Sequence, residues 1–281
     1  MKKLHILSPS LSNAETVITR SLAPPQGYAL PTNLADVYAR HFGALNTKVA
    51  AGDIFDGPVA VLRGWHFADG YLHLAVQSST YVPMTATRLT YVEALRTGVL
   101  DEADVSAIPL EFGACLCACV VVLTADNQVM TLRRAANLSN PGSVSLGLGE
   151  VLDPNDFEHG PMAMHAAGAR ALREELGVVL SPEQTARFIK PMYLTRGREC
   201  GSWVFVIVAD LRHAGAGFSA EQILAKAQSA QDAWESDAKT PIPFNRSSLD
   251  AFLEANAGRL GMWADELVEL LSADLLEGTP D

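Results

Sequence analysis

Two adjacent carboxylates close the stretch Arg170-Ala171-Leu172-Arg173-Glu174-Glu175-Leu176-Gly177-Val178. The run before it, residues 162–169, is rich in alanine and free of β-branched residues, which predicts a helix that Gly177 ends. Acids in a last helical turn oppose the helix dipole, which favours cations there. Glu174 and Glu175 therefore call for a compensating partner. A divalent metal ion is one such partner, and a solvated acidic turn is the plain alternative.

Other residues with chemical potential lie on either side. The segment Pro141-Gly142-Ser143-Val144-Ser145-Leu146-Gly147-Leu148-Gly149-Glu150 lacks a third fingerprint glycine, and no helix begins at once after it, so it is not a dinucleotide loop. Gly147 and Gly149 would instead let backbone carbonyls approach a metal or substrate. Arg133 and Arg134 at a strand end, with Arg196 and Arg198 in a hairpin loop, offer planar forks for phosphate oxygens. Glu235 sits in a loop after the core strands and is a candidate water-activating base, or simply an exposed acid. Residues 78–88, rich in Ser and Thr and containing Tyr81, read as a loop that hydrogen-bonds a ligand, or as a capping loop before a helix at 91–96. Cys115, Cys117 and Cys119 alternate and so share one strand face. A chelate is conceivable there, and burial as small apolar residues is the plainer reading. His66 and His73 lack metal-ligand spacing.

These residues need a scaffold. A helix is predicted near residues 34–45, and strands at 59–62 and 71–77 joined through Ala68-Asp69-Gly70. The most apolar strand covers 115–124 and turns at Ala125-Asp126-Asn127 into a second at 128–134, the core of a mixed sheet. Further strands are expected at 191–195 and 202–209, with helices at 218–230 and 249–275. Two prolines confine a short strand at 240–244 to a sheet edge. The apolar stripe of the last helix would pack on the body or form a homodimer seam.

The 281-residue chain has 48% apolar and 19% charged residues, a folded composition with room for one large domain or two modest ones. Its net charge of −11 argues against nonspecific binding to nucleic acid or anionic membranes. No apolar run is long enough to span a bilayer, and the expected location is cytoplasmic.

A glycine-rich loop, a turn, and a helix ending Arg-x-Leu-x-Glu-Glu-x-Gly-Val resemble the Nudix family, whose box reads G-x5-E-x7-R-E-U-x-E-E-x-G-U with U aliphatic. Arg170, Leu172, Glu174, Glu175, Gly177 and Val178 fit the second half, and Ala171 stands where the family has its first glutamate of that half. In the first half, ungapped spacing puts Met162 and Asp156 at the glutamate and glycine positions. An insertion is therefore inferred, with Glu150 or Glu158 filling the glutamate's place. Shorter matches, Phe55-Asp56-Gly57-Pro58, Ser79-Thr80-Tyr81, Thr124-Ala125-Asp126-Asn127, Leu132-Arg133-Arg134 and Asp232-Ala233-Trp234-Glu235-Ser236, resemble an atypical branch that hydrolyses UDP-glucose and UDP-galactose.

The resemblance implies an α/β/α sandwich around a mixed sheet (residues 113–281), preceded by a smaller N-terminal α/β segment (1–112) that helps hold the nucleotide through Tyr81 and Arg88. It implies Mg²⁺ or Mn²⁺ held by Glu174 and Glu175 with Gly147, Gly149 or Glu150. It also implies that Arg170 braces the loop, that Glu235 serves as base, and that the substrate is a nucleoside diphosphate linked to another group. Ala171 removes one carboxylate from the expected set. Either other acids complete the site, or this chain is an impaired hydrolase or a nucleotide-binding sensor, by nature or by a deliberate substitution.

Overall fold

A computed structural model describes residues 4–6, 11, 15–21, 32–100, 115–136, 140–197, 202–212, 217–261 and 264–276. In chain order its first half runs β1 (Leu4–Ile6), β2 (Glu15–Ser21), α1 (Ala35–Ala51), β3 (Pro58–Ala68), β4 (Tyr71–Thr80) and α2 (Tyr81–Arg96). The second half runs β5 (Leu116–Leu123), β6 (Gln128–Arg134), β7 (Val144–Ser145), β8 (Leu148–Val151), α3 (Ala163–Leu176), α4 (Pro182–Phe188), β9 (Ile189–Gly197) and β10 (Trp203–Asp210). It closes with α5 (Ala220–Ala227), β11 (Ser236–Pro243), α6 (Arg246–Asn256) and α7 (Ala264–Leu271).

The main sheet has the order β1-β9-β10-β5-β6-β11, and a second sheet the order β2-β4-β3. Pairing of β10 with β5 is parallel and that of β9 with β10 antiparallel, so the main sheet is mixed. Period-2 alternation sends β5 side chains to two cores. Leu116, Ala118, Val120 and Val122 pack with α3 and α5, while Val121 and Leu123 pack with Phe252, Leu267, Val268 and Leu271 of α6 and α7. The result is an α/β/α sandwich, and each large side chain fully buried in it contributes on the order of 2 kcal/mol.

One irregularity of the main sheet makes the site. Strands β5 and β6 share only the register pair Leu123↔Val129 near their turn. Beyond it they part, β8 pairing with β5 and β7 with β6. The wedge between them opens into a cavity of about 280 Å³.

Two expectations change. Residues 81–88 are the first two turns of α2, not a loop. Their cap is remote in sequence, because Asp56 accepts the Val82 N–H at 2.7 Å and the Thr80 hydroxyl at 3.1 Å. Thr87 and Thr90 then satisfy their hydroxyls on the Pro83 and Ala86 carbonyls within the helix. Residues 249–275 are two helices broken around Gly258 and Gly261, the second of which lies so close to β7 that a Cβ would sit 3.1 Å from the Val144 carbonyl oxygen. Leu249, Phe252, Leu267, Val268 and Leu271 of these helices pack on the body, as the stripe predicts. Gly177 does end α3, at φ 64°, a left-handed conformation that favours glycine.

Candidate active site

The C-terminal end of α3 borders the wedge. Successive helical residues point about 100° apart, so only one of the two terminal acids faces inward. That one is Glu175, 4% exposed and lining the cavity. Glu174 turns aside, its carboxylate held by Arg170 at 3.0 Å and Arg173 at 2.7 Å. Glu174 is thus not among the residues that border the cavity. Glu150 enters from β8 and Glu235 from the loop before β11. This loop is tied to the helix end by the Asp232 N–H, which donates to the Glu174 carbonyl at 2.8 Å.

Arg170 is the brace. Its Nε and Nη2 grip Asp156 bidentately at 3.0 and 2.9 Å, Nη1 reaches Glu150 at 2.7 Å, and Nη2 also donates to the Val151 carbonyl at 3.1 Å. Asp156 is therefore the acid that pairs with Arg170 from the preceding turn, whereas Glu158 is solvent-exposed. Sequence reasoning missed Asp156 because the capping turn Asp153–Asp156, closed by reciprocal side-chain bonds, lengthens the path between loop and helix.

Desolvation dominates the electrostatics. Burial, then repulsion from Glu150 and Glu235, pushes the Glu175 carboxyl up to about 8, with Lys239 and Arg134 opposing. Glu150 is pushed up to about 7 by burial against the pull of Arg170. Glu235 is raised by burial, which Arg134 partly offsets. Lys239, unflagged by the sequence, feels Glu175 and Glu235 but is itself lowered by burial. Three carboxyls thus share one cavity without enough cationic charge to ionise them together, and hard oxygen donors of this kind suit Mg²⁺ or Mn²⁺. Among the described residues no three His, Cys, Asp or Glu side chains are gathered closely enough to cage a metal by themselves. The donor set suits an ion held by one or two carboxylates and completed by water and phosphate oxygens.

The remaining expected residues divide cleanly. Tyr81 and Arg88 line the cavity from α2, joined by Met84 and Thr85 on the same helical face. Arg134 lines it from β6, but Arg133, one residue earlier, points the opposite way to solvent. Arg196 does not reach the cavity. It is 1% exposed, with its guanidinium 4.8 Å from the Trp203 ring centroid and 5.7 Å from that of Tyr91. Arg198 lies outside the described residues. Gly147 and Gly149 both line the cavity, and the reason for glycine differs between them. A Cβ on Gly147 would meet Cys119 Sγ at 2.8 Å, and its carbonyl already accepts from the Ser145 hydroxyl at 2.9 Å, whereas Gly149 has open space. Ala171 is fully buried one turn before Glu175, its methyl part of the apolar core. All three cysteines of β5 and its approach also line the cavity.

No protein-family model and no curated protein matches the sequence. Solved structures that match at low identity include Nudix hydrolases. One match is a bifunctional NMN adenylyltransferase/ADP-ribose pyrophosphatase from Francisella tularensis, solved with AMP and manganese. It is 12% identical over 69% of this chain and 48% of that one, with a TM-score of 0.38. Another is a Nudix hydrolase from Alicyclobacillus acidocaldarius, 16% identical over 57% of this chain and 91% of that one, TM-score 0.38. The chain thus aligns with about half the length of the Francisella protein.

Proposed function

We propose that the wedge between β5 and β6 is the active site of a divalent-metal-dependent hydrolase. Its reaction would split the pyrophosphate bond of a nucleoside diphosphate linked to a second group, with a UDP-sugar giving UMP and sugar 1-phosphate as the leading substrate. The observation that carries this reading is the convergence of Glu150, Glu175 and Glu235 with Arg134 and Arg88 on one cavity. Carboxylates alone would repel a diphosphate, and arginines alone would bind it without activating water. Together they suit a diphosphate with its cation.

Glu175 and Glu150, beside Gly147 and Gly149, would hold Mg²⁺ or Mn²⁺, which when bound supplies charge neutralisation on the phosphoryl oxygens. Arg134 and Arg88 would orient the phosphates through their planar forks. Glu235, half-buried and with its carboxyl raised by burial, would take the proton of the attacking water at its carboxylate oxygen, a raised carboxyl being a stronger base than a free one. Arg170 would act through Glu150 and Asp156 by fixing the β8 edge. A panel of nucleotide sugars, ADP-ribose, dinucleotides and nucleoside triphosphates, run with Mg²⁺ and with EDTA, tests the reading. Metal-dependent release of a nucleoside monophosphate supports it, and no hydrolysis of any substrate rejects it.

Ala171 favours a second reading, a nucleotide-binding module without turnover, because a buried methyl stands where the resemblance places a glutamate. Nucleotide affinity unchanged by EDTA and by Glu175→Gln would select that reading over the enzyme.

A further inference from the structure

Cys115 and Cys117 are not used by the hydrolytic reading, yet they sit in the wall of the same cavity. Their Sγ atoms are 3.0 Å apart on one face of the chain entering β5. The backbone beneath is held on both sides, since Cys115 bridges to Val61 and its carbonyl accepts from the Trp203 N–H at 2.8 Å. Arg88 and Ser202 border the cavity on the same side.

We propose that Cys115 and Cys117 form a redox-active dithiol facing the cavity, which peroxides convert to a Cys115–Cys117 disulfide and small thiols restore. With hydrogen peroxide the step balances as two thiols plus one H₂O₂ giving one disulfide and two waters, each thiol's proton passing to the departing hydroxide. An organic peroxide would release its alcohol in place of the first water. The Cys115 thiolate attacks a peroxide oxygen and becomes a sulfenic acid while the O–O bond breaks and water leaves. Cys117 then attacks that sulfur, the S–O bond breaks, and the second water leaves. Two electrons pass from the sulfurs to the peroxide.

Several features favour Cys115 as the attacking group. The hydrogen bond with Cys117, and then Arg88 and Ser202, draw its thiol below the ordinary range against the effect of burial. A neighbouring arginine and hydrogen-bond donors favour the thiolate form of a cysteine. Cys119 stands in contrast, pushed up to about 12 by burial and by Glu175, and so is held as an inert thiol. Strand geometry admits the product. Residues two apart on a strand are roughly 6.6 Å apart at Cα, near the upper end of the roughly 4.4–6.8 Å that a disulfide spans. That span lies within the range, so the strand can carry the bond without backbone rearrangement.

The test uses the full chain carrying Cys200→Ser, which removes the fourth cysteine. Mild hydrogen peroxide should lower the intact mass by about 2 Da, leave one alkylatable thiol after unfolding, and be reversed by dithiothreitol. Adding Cys119→Ser should leave the mass loss intact. Adding Cys117→Ser should abolish it and yield a dimedone adduct on Cys115, and Arg88→Gln should slow the reaction by roughly threefold to tenfold. Cys115→Ser provides a second variant, which should show neither the mass loss nor a dimedone adduct. A mass loss that requires Cys119, or none from the folded parent at a peroxide level that oxidises the unfolded chain, overturns the proposal. Neither result depends on whether the protein hydrolyses a nucleotide.

Discussion

Glu175 ties the fold to the proposed chemistry, and replacing it with glutamine isolates its charge. Its carboxyl stands at about 8 against an ordinary 4.5. A carboxyl raised on folding leaves stability intact below about pH 4.5. Stability then falls as pH climbs, and the loss is complete once pH has passed about 8. At about 1.4 kcal/mol per pH unit, the span from 4.5 to pH 7 amounts to about 3 kcal/mol. This is an upper figure, because Glu150 and Glu235 can take up part of the shared proton and Lys239 lies close by. Without metal, Glu175→Gln should therefore match the parent at pH 5 and exceed it by about 2–3 kcal/mol at pH 8. A divalent ion stabilises a folded state that binds it, so Mn²⁺ should close the gap for the parent while leaving the variant unmoved. Urea midpoints at pH 5 and pH 8, with EDTA or Mn²⁺, read all four quantities. Parallel pH profiles for the two proteins would show that Glu175 is not raised on folding, and equal stabilisation of both by Mn²⁺ would show that it is not a metal ligand.

Three further outcomes follow from the same geometry. Arg170→Met leaves Asp156, Glu150 and Glu174 without their shared cation, and should cost about 3–5 kcal/mol in chemical denaturation. Arg170→Lys should recover only part of it, because a lysine cannot grip Asp156 bidentately. Arg134→Ala should raise KM about tenfold in steady-state hydrolysis, at roughly 1.4 kcal/mol for a lost phosphate contact, whereas Arg133→Ala should leave it unchanged. Ala171→Glu buries a carboxylate one turn from Glu175. It should lower the Tm in EDTA, regain it in Mn²⁺, and raise hydrolysis by on the order of tenfold or more. An unchanged rate there would mean that Glu150, Glu175 and Glu235 already form the complete set.

The central strands and α3 were readable because their signals are local. An eight-residue apolar run, a turn at Asn127 with φ 55°, and a glycine ending an alanine-rich helix each carry their cause within a few residues. What escaped depends on partners distant in sequence. The start of α2 is set by Asp56, some 26 residues before Val82, so a Ser/Thr-rich stretch read as a loop. The break between α6 and α7 reflects the close approach of Gly261 to β7. At the site, residue types were legible and directions were not. Glu174 and Glu175 were expected to act together until the helix turned one onto Arg170. Arg133 and Arg134 were equivalent until the strand sent only the second inward. Arg196 carries a charge that its hairpin position made look available, and its place between two aromatic rings could not be read from the chain.

Calorimetric titration of Mn²⁺ into the parent protein and Glu175→Gln at pH 7 tests the central claim most directly. The parent should bind the ion with release of protons, because carboxyls standing near 7 and 8 must ionise to receive it, and the glutamine variant should lose this binding. Equal affinity and equal proton release in the two proteins would contradict it.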